Sequence, residues 1–184
     1  MRGIALILAL AACGGSSIPN RASVTGKIEG TTPITATNAA AVVVNSGTHP
    51  TVDVLISNAA DGCNANAGNL KSKQVLSLGV TSFAGAPLAA GDFGVYDQQS
   101  GSIPQDTMVL VDYGSTNEGC ADTTPPNTLG ASGHVALSKV SLAAGGSVQG
   151  TFDLLLQNGD HLKGTFDAPI CGDRPDAGAD AGCH

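Results

Sequence analysis

Tryptophan is absent, tyrosine occurs twice and phenylalanine four times, so aromatic residues make up 3 % of the chain. Sugar-binding sites usually stack their ligands on exposed aromatic rings, and this scarcity disfavours a lectin-like role of that kind. Charge is also scarce, at 12 % of residues against about 25 % in ordinary soluble domains. The eight Lys and Arg are scattered without a basic cluster, and the formal charge is −7. A surface of that sign repels phosphate backbones, which argues against nucleic acid as a partner. No stretch approaches the roughly 18 consecutive apolar residues that mark a membrane-spanning helix. The chain also lacks any Cys-x-x-Cys or His-x-x-x-His pair and any Gly-x-Ser-x-Gly elbow. Its glycine-rich turns, such as Ala143-Ala144-Gly145-Gly146, feed strand patterns rather than helices, so they read as hairpin loops and not as phosphate cradles. No catalytic residue, cofactor or metal ligand is expected.

What is present starts at the amino terminus. Arg2 precedes an apolar run of seven residues, Ile4–Leu10. That length suits the apolar region of a signal peptide, about 7–15 residues. The run ends in Leu10-Ala11-Ala12-Cys13-Gly14. This segment resembles the lipobox of bacterial lipoproteins, although its basic region is thin. The resemblance implies a signal peptide over 1–12, cleavage before Cys13 and a thioether-linked lipid on Cys13. One acyl chain binds a bilayer only marginally. The two or three chains that the resemblance implies make the attachment permanent. Gly14, standing where an aspartate would suggest inner-membrane retention, points to the outer membrane. The bilayer is then the first partner, and a protein partner at the cell envelope the second.

The mature chain has 172 residues, 184 less the first 12, enough for one domain with a real core. Residues 13–22 read as a lipidated flexible tether rich in Gly and Ser, and 23–171 as the folded domain. Residues 172–184 read as a disordered acidic tail, because Asp-Ala-Gly repeats have nothing to bury. The tail's spacing does not match a calcium loop. With Cys13 lipidated, Cys63, Cys120, Cys171 and Cys183 remain, an even number in an oxidising compartment. Two disulfides follow, with three connectivities open.

Between the ends the hydrophobic period is two. Val52, Val54 and Ile56 share one face, as do Leu76, Leu78 and Val80, and Phe93 with Val95. Met108–Val111 is a continuous apolar run that fits a strand buried on both faces. Val135 and Leu137 alternate again. Ala36–Ala41 leads into Val42-Val43-Val44, which favours a strand over a helix. Clusters of Gly, Pro, Asn and Ser separate these runs.

Gly150-Thr151-Phe152-Asp153 recurs as Gly164-Thr165-Phe166-Asp167, with Gln157-Asn158-Gly159 between. A two-residue turn would pair apolar with polar throughout. A three-residue turn pairs Leu154 with Leu162, Phe152 with Gly164, Gly150 with Phe166, Asp153 with Lys163 and Thr151 with Thr165. Since a one-residue slip flips every side chain, that contrast selects the second register. It also puts Gly159 where a left-handed residue is needed. The expected fold is all-β: an antiparallel β-sandwich of about eight strands, ending in a tight β-hairpin. From Leu55-Ile56-Ser57-Asn58 to Gly164-Thr165-Phe166-Asp167-Ala168-Pro169 the chain loosely resembles uncharacterised surface lipoproteins of myxobacterial type. That resemblance brings no activity with it.

Four histidines remain to be placed. His49 precedes Pro50 in a polar loop, His134 begins a strand, and His184 lies on the tail. His161 falls on the polar hairpin face opposite Leu155, with Asp160 and Asp153 near enough to form a dyad. Asp92, Asp97, Asp106 and Asp112 are the densest acidic set and read as solubility charge. Together these features describe a membrane-anchored extracytoplasmic lipoprotein, not an enzyme, serving as a structural, adhesion or binding module. The alternatives are a hydrolase or metal-dependent enzyme with a loop-built site, and a small-ligand carrier.

Overall fold

The computed structural model describes residues 21–46, 49–59, 63, 71–83, 87–101, 104 and 106–171. Cys13, Cys183, the signal peptide, nearly all of the tether and the acidic tail lie outside the described residues. The described chain forms β1 (Ala22–Thr25), β2 (Lys27–Ile28), β3 (Thr32–Pro33), β4 (Asn38–Ser46), β5 (His49–Ser57), β6 (Gln74–Ser82), β7 (Gly91–Gly94), β8 (Thr107–Ser115), β9 (Gly130–Val140), β10 (Ser147–Leu156) and β11 (His161–Pro169). There is no helix among the described residues. One sheet has the order β1-β11-β10-β9-β7, the other β4-β5-β6-β8, and β2-β3 form a small ribbon. Every named strand pair is antiparallel.

The two large sheets face each other over a core that the period-two pattern builds in rows. In the four-stranded sheet, Ala39, Ile56, Leu76 and Tyr113 stand side by side, and so do Ala41, Val54, Leu78 and Val111. Val52, Val80 and Val109 form a third row. The members from β5, β6 and β8 are at most 1 % exposed, and each buried Val, Leu or Ile contributes about 1.5–3 kcal/mol. In the facing sheet one row runs Val24, Gly164, Phe152, Val135, Phe93, and the next runs Ala22, Phe166, Gly150, Leu137, Gly91. Large rings thus alternate with glycines across the strands.

The final hairpin adopts the expected register, including Leu154↔Leu162, Phe152↔Gly164 and Asp153↔Lys163. Its turn is Gln157-Asn158-Gly159, with Gly159 at φ 89° and Leu156 N donating to Asp160 O at 2.9 Å. Ala143–Gly146 closes the β9–β10 connection, where Gly146 N donates to Ala143 O at 2.8 Å.

Two local expectations need correction. Met108–Val111 is not buried on both faces: Val109, Val111 and Tyr113 point inward, Met108 and Leu110 are half-buried, and Asp112 is exposed. The reason is the layering: β8 belongs to one of two facing sheets, so one of its faces meets the core and the other points outward, as in central β6. His49 and Pro50 are not in a loop but open β5, paired with Ser46 and Asn45. Pro50, having no N–H to give, stands at the strand's beginning, where the loss is least felt.

The sheets are stitched to each other at their margins. Past β11, Ile170 bridges Ala41 in parallel and Cys171 N donates to Ala41 O at 2.8 Å. Past β7, Val95 bridges Val109 and Tyr96 N donates to Val109 O at 2.9 Å. Parts of the β4 and β8 edges, where open backbone invites pairing with other chains, are covered in this way. A disulfide joins Cys63, in the connection after β5, to Cys171, with Cα atoms 5.4 Å apart. This ties the end of the last strand to a loop, the arrangement that cysteines placed at strand ends suggest.

Candidate functional site

An open cleft of about 480 Å³ lies between the β2–β3 ribbon and the adjoining ends of β6 and β8. Its floor is Ile28 and Tyr113, each 1 % exposed. Thr32 and Thr35 line the ribbon side; Gln74, Ser115 and Thr116 line the other, continued by Thr123 and Pro125.

Gln74 holds the two walls at a fixed spacing. Its Oε1 accepts from Thr35 N at 2.9 Å and Thr35 Oγ1 at 3.0 Å, and its Nε2 donates to Pro33 O at 3.2 Å. Gln74 is positioned in turn by Asn58, whose Oδ1 accepts from Gln74 N at 3.0 Å and whose Nδ2 donates to Ser72 O at 2.8 Å. Across the cleft, Ser115 N donates to Thr124 Oγ1 at 2.9 Å, and the Ser115 and Thr123 hydroxyls are 3.1 Å apart. Burial raises the Tyr113 pKa above the usual phenol value, opposed by side-chain hydrogen bonds with Ser115 and Gln74. Tyr113 is therefore a neutral phenol at physiological pH. The β2–β3 turn, with Glu29 and Gly30 in left-handed conformation, is clamped from outside: their N–H groups donate to Asp160 Oδ2 at 2.6 Å and Oδ1 at 3.3 Å. Asp160 belongs to the β10–β11 turn, so cleft and turn share one end of the sandwich.

A second polar cluster lies on the outer face of the five-stranded sheet. Asp153 stands across from Lys163 on β11 and from His134 on β9. Its Oδ1 is 2.5 Å from His161 Nε2, and its Oδ2 accepts from Lys163 Nζ at 2.7 Å. Lys163 first and His161 second hold the Asp153 carboxyl below the usual range. The dyad suggested by the sequence does form, but Lys163 shares its carboxylate. His161 and Lys163 are more than half exposed, at 53 % and 56 %. The geometry is that of a solvated ion network on a flat sheet.

No protein-family model, curated protein or solved structure matches this chain.

The remaining candidate residues fall as follows. Cys63 and Cys171 are brought together, and Cys120 is also disulfide-bonded. His134 is exposed within β9, which opens four residues earlier at Gly130. The side chain of His49 and all of His184 lie outside the described residues. Asp92, Asp106 and Asp112 are exposed, and Asp97 is half-buried, accepting from Gln99 N at 3.0 Å and Gln157 Nε2 at 3.1 Å. No group of three or more His, Cys, Asp and Glu that could hold a metal occurs among the described residues. No helix among them is long and apolar enough to cross a membrane. The cleft itself escaped sequence reasoning: its described lining comes from the stretch 28–35, from Asn58, Ser72 and Gln74, and from the stretch 113–125, which no motif connects.

Proposed function

We propose that this chain is an envelope lipoprotein, cut before Cys13 and lipid-anchored there, whose β-sandwich serves as a non-enzymatic binding or adhesion module. The observation that carries the reading is the Cys63–Cys171 disulfide, because such bridges persist in oxidising, extracytoplasmic compartments. It agrees with the lipobox-like Leu10-Ala11-Ala12-Cys13. The sandwich supports the binding half of the reading. It is an all-β body with part of each β4 and β8 edge covered, and a hydroxyl-lined cleft is built from three separated segments. The outer membrane, on either its periplasmic or its surface side, is the proposed location.

The test is the intact mass of the membrane-extracted protein, measured before and after reduction with alkylation. The expected result is a chain starting at Cys13 with a lipid increment and four cysteines blocked until reduction. A lipid-free chain retaining residues 1–12, or four thiols alkylated without reduction, would overturn the reading.

A further inference from the structure

We infer that the cleft beside Gln74 and Tyr113 binds a neutral polyhydroxylated ligand, a glycan chain, and that it lies at the end of the domain remote from the lipid attachment. The orientation rests on the lipoprotein reading; the ligand class rests on the cleft alone.

Orientation follows from register. β1 starts beside the far part of β11, with Ala22 opposite Phe166, and runs toward the hairpin turn, with Thr25 opposite Lys163. Arg21 accordingly lies beside Asp167, its Nη1 donating to Oδ2 at 2.9 Å. The chain therefore enters the sandwich away from the β10–β11 turn, whereas the cleft is held at that turn by Asp160. A lipid on Cys13 therefore attaches the domain through its Arg21 end and leaves the cleft at the end remote from that attachment.

The ligand class follows from the lining. Among the described residues it contains hydroxyls and amides, no Lys, Arg or His, and one charged side chain, Glu29. With no cation to pair and one carboxylate to repel, phosphorylated, sulfated and carboxylated ligands are disfavoured. An apolar ligand would strip water from wall hydroxyls that keep hydrogen-bonding capacity beyond their bonds within the protein, which costs free energy. Serine and threonine hydroxyls both donate and accept, as sugar hydroxyls do, so the two sets satisfy each other in many relative positions. The walls are already fixed by Gln74 and Asn58, which limits the ordering cost of binding. The Tyr113 ring is in the floor, too buried to stack on a sugar, so hydrogen bonds alone hold the ligand. Affinity per site is then weak, on the order of millimolar, and display of many anchored copies raises it through avidity.

The test is saturation-transfer NMR with the lipidated protein in neutral phosphatidylcholine vesicles, using maltotriose, cellotriose and chitotriose as probes. Tri-galacturonate serves as the anionic comparison. The cleft variant is T32V with T123V, which removes two exposed wall hydroxyls at nearly constant shape; E29Q, with shape and hydroxyls kept, is the second variant. Transfer to at least one neutral probe, falling about fivefold or more in T32V/T123V and retained in E29Q, is expected. Absence of transfer, transfer unchanged in T32V/T123V, or stronger transfer to tri-galacturonate would overturn the cleft assignment. Intact mass on the same sample reads the anchor separately. A lipidated chain that takes no sugar defeats the ligand inference alone, and a sugar-binding chain without lipid defeats the anchor and the orientation alone.

Discussion

Phe152 lies over Gly164, its cross-strand partner, and the pair is mirrored by Phe166 over Gly150. A methyl group on Gly164 would overlap both the Phe152 ring and the Ser23 carbonyl. On Gly150 it would stand 2.8 Å from Phe166 Cζ and 2.5 Å from Ala136 O. Gly164→Ala should therefore destabilise the fold by about 1–3 kcal/mol, the usual cost of overpacking a filled core. Phe152→Leu on that background should recover less than all of it, because the Ser23 carbonyl remains in the way. Urea denaturation of the three proteins measures both effects; an unchanged midpoint for Gly164→Ala would show that ring and glycine do not interlock.

Cys63 and Cys171 close a loop across a sequence separation of 108 residues. Replacing both with serine should cost about 2–5 kcal/mol, because the unfolded chain regains the freedom the bridge removes. Denaturation of the variant against the wild type, both without reductant, measures this. Of the three ways to pair Cys63, Cys120, Cys171 and Cys183, one contains the observed bridge, and its other member is Cys120–Cys183. Non-reducing peptide mapping should recover that second pair, provided Cys13 carries lipid. A Cys13–Cys120 peptide would contradict it.

Asp112 lies on the outer face of β8, near Asp53 of β5. Partial desolvation raises its pKa, the Tyr113 backbone N–H opposes this, and the Asp53 charge adds to the rise. A carboxyl shifted upward is destabilising while ionised. That cost is present at neutral pH and fades as pH falls through the raised folded value. Asp112→Asn should accordingly raise Tm at pH 7, by the equivalent of about 0.5 kcal/mol or less, with the gain shrinking toward acid pH. An equal gain at every pH would point to a cause other than ionisation.

Asp160 accepts from the backbone of Glu29 and Gly30 and also from Asn158 Nδ2 at 2.7 Å. Asp160→Ala should cost about 1 kcal/mol and, more specifically, should speed hydrogen exchange at the Glu29 and Gly30 amides. If the β2–β3 ribbon depends on this clamp, exchange at the core amides of β6 and β8 should change no more than global stability requires.

Much of this molecule is legible in the residues because alternating polarity leaves one answer. The hairpin register is decided by Leu154 meeting Leu162 rather than Lys163, and the Ile56, Leu76 and Tyr113 row follows from period two. Residues 22–33 were silent for the opposite reason. Strands of two to four residues, β1 to β3, are too short to display a period, which is why eleven strands occur among the described residues where about eight were expected. The apolar run Met108–Val111 is misleading because composition cannot say whether both faces of a strand are covered, and here the outer face, with Met108 and Leu110, is only half-buried. The cleft was invisible since Thr35, Gln74 and Tyr113 are neighbours only through topology. The His161–Asp153 contact was within reach, as the two stand two pairs apart on adjacent strands and so share one face.

The Cys63–Cys171 bridge also changes what a single cut can do. On the lipoprotein reading proposed above the chain meets proteases outside the cytoplasm, and the connections between strands are where they strike. One cleavage anywhere between residues 63 and 171 separates nothing, because both fragments stay covalently joined through the sulfurs. That interval holds β6 through β11, the whole of the final hairpin and one side of the cleft. A nicked molecule keeps every strand attached to the rest of its chain, so release of the domain requires reduction or cleavage upstream of Cys63.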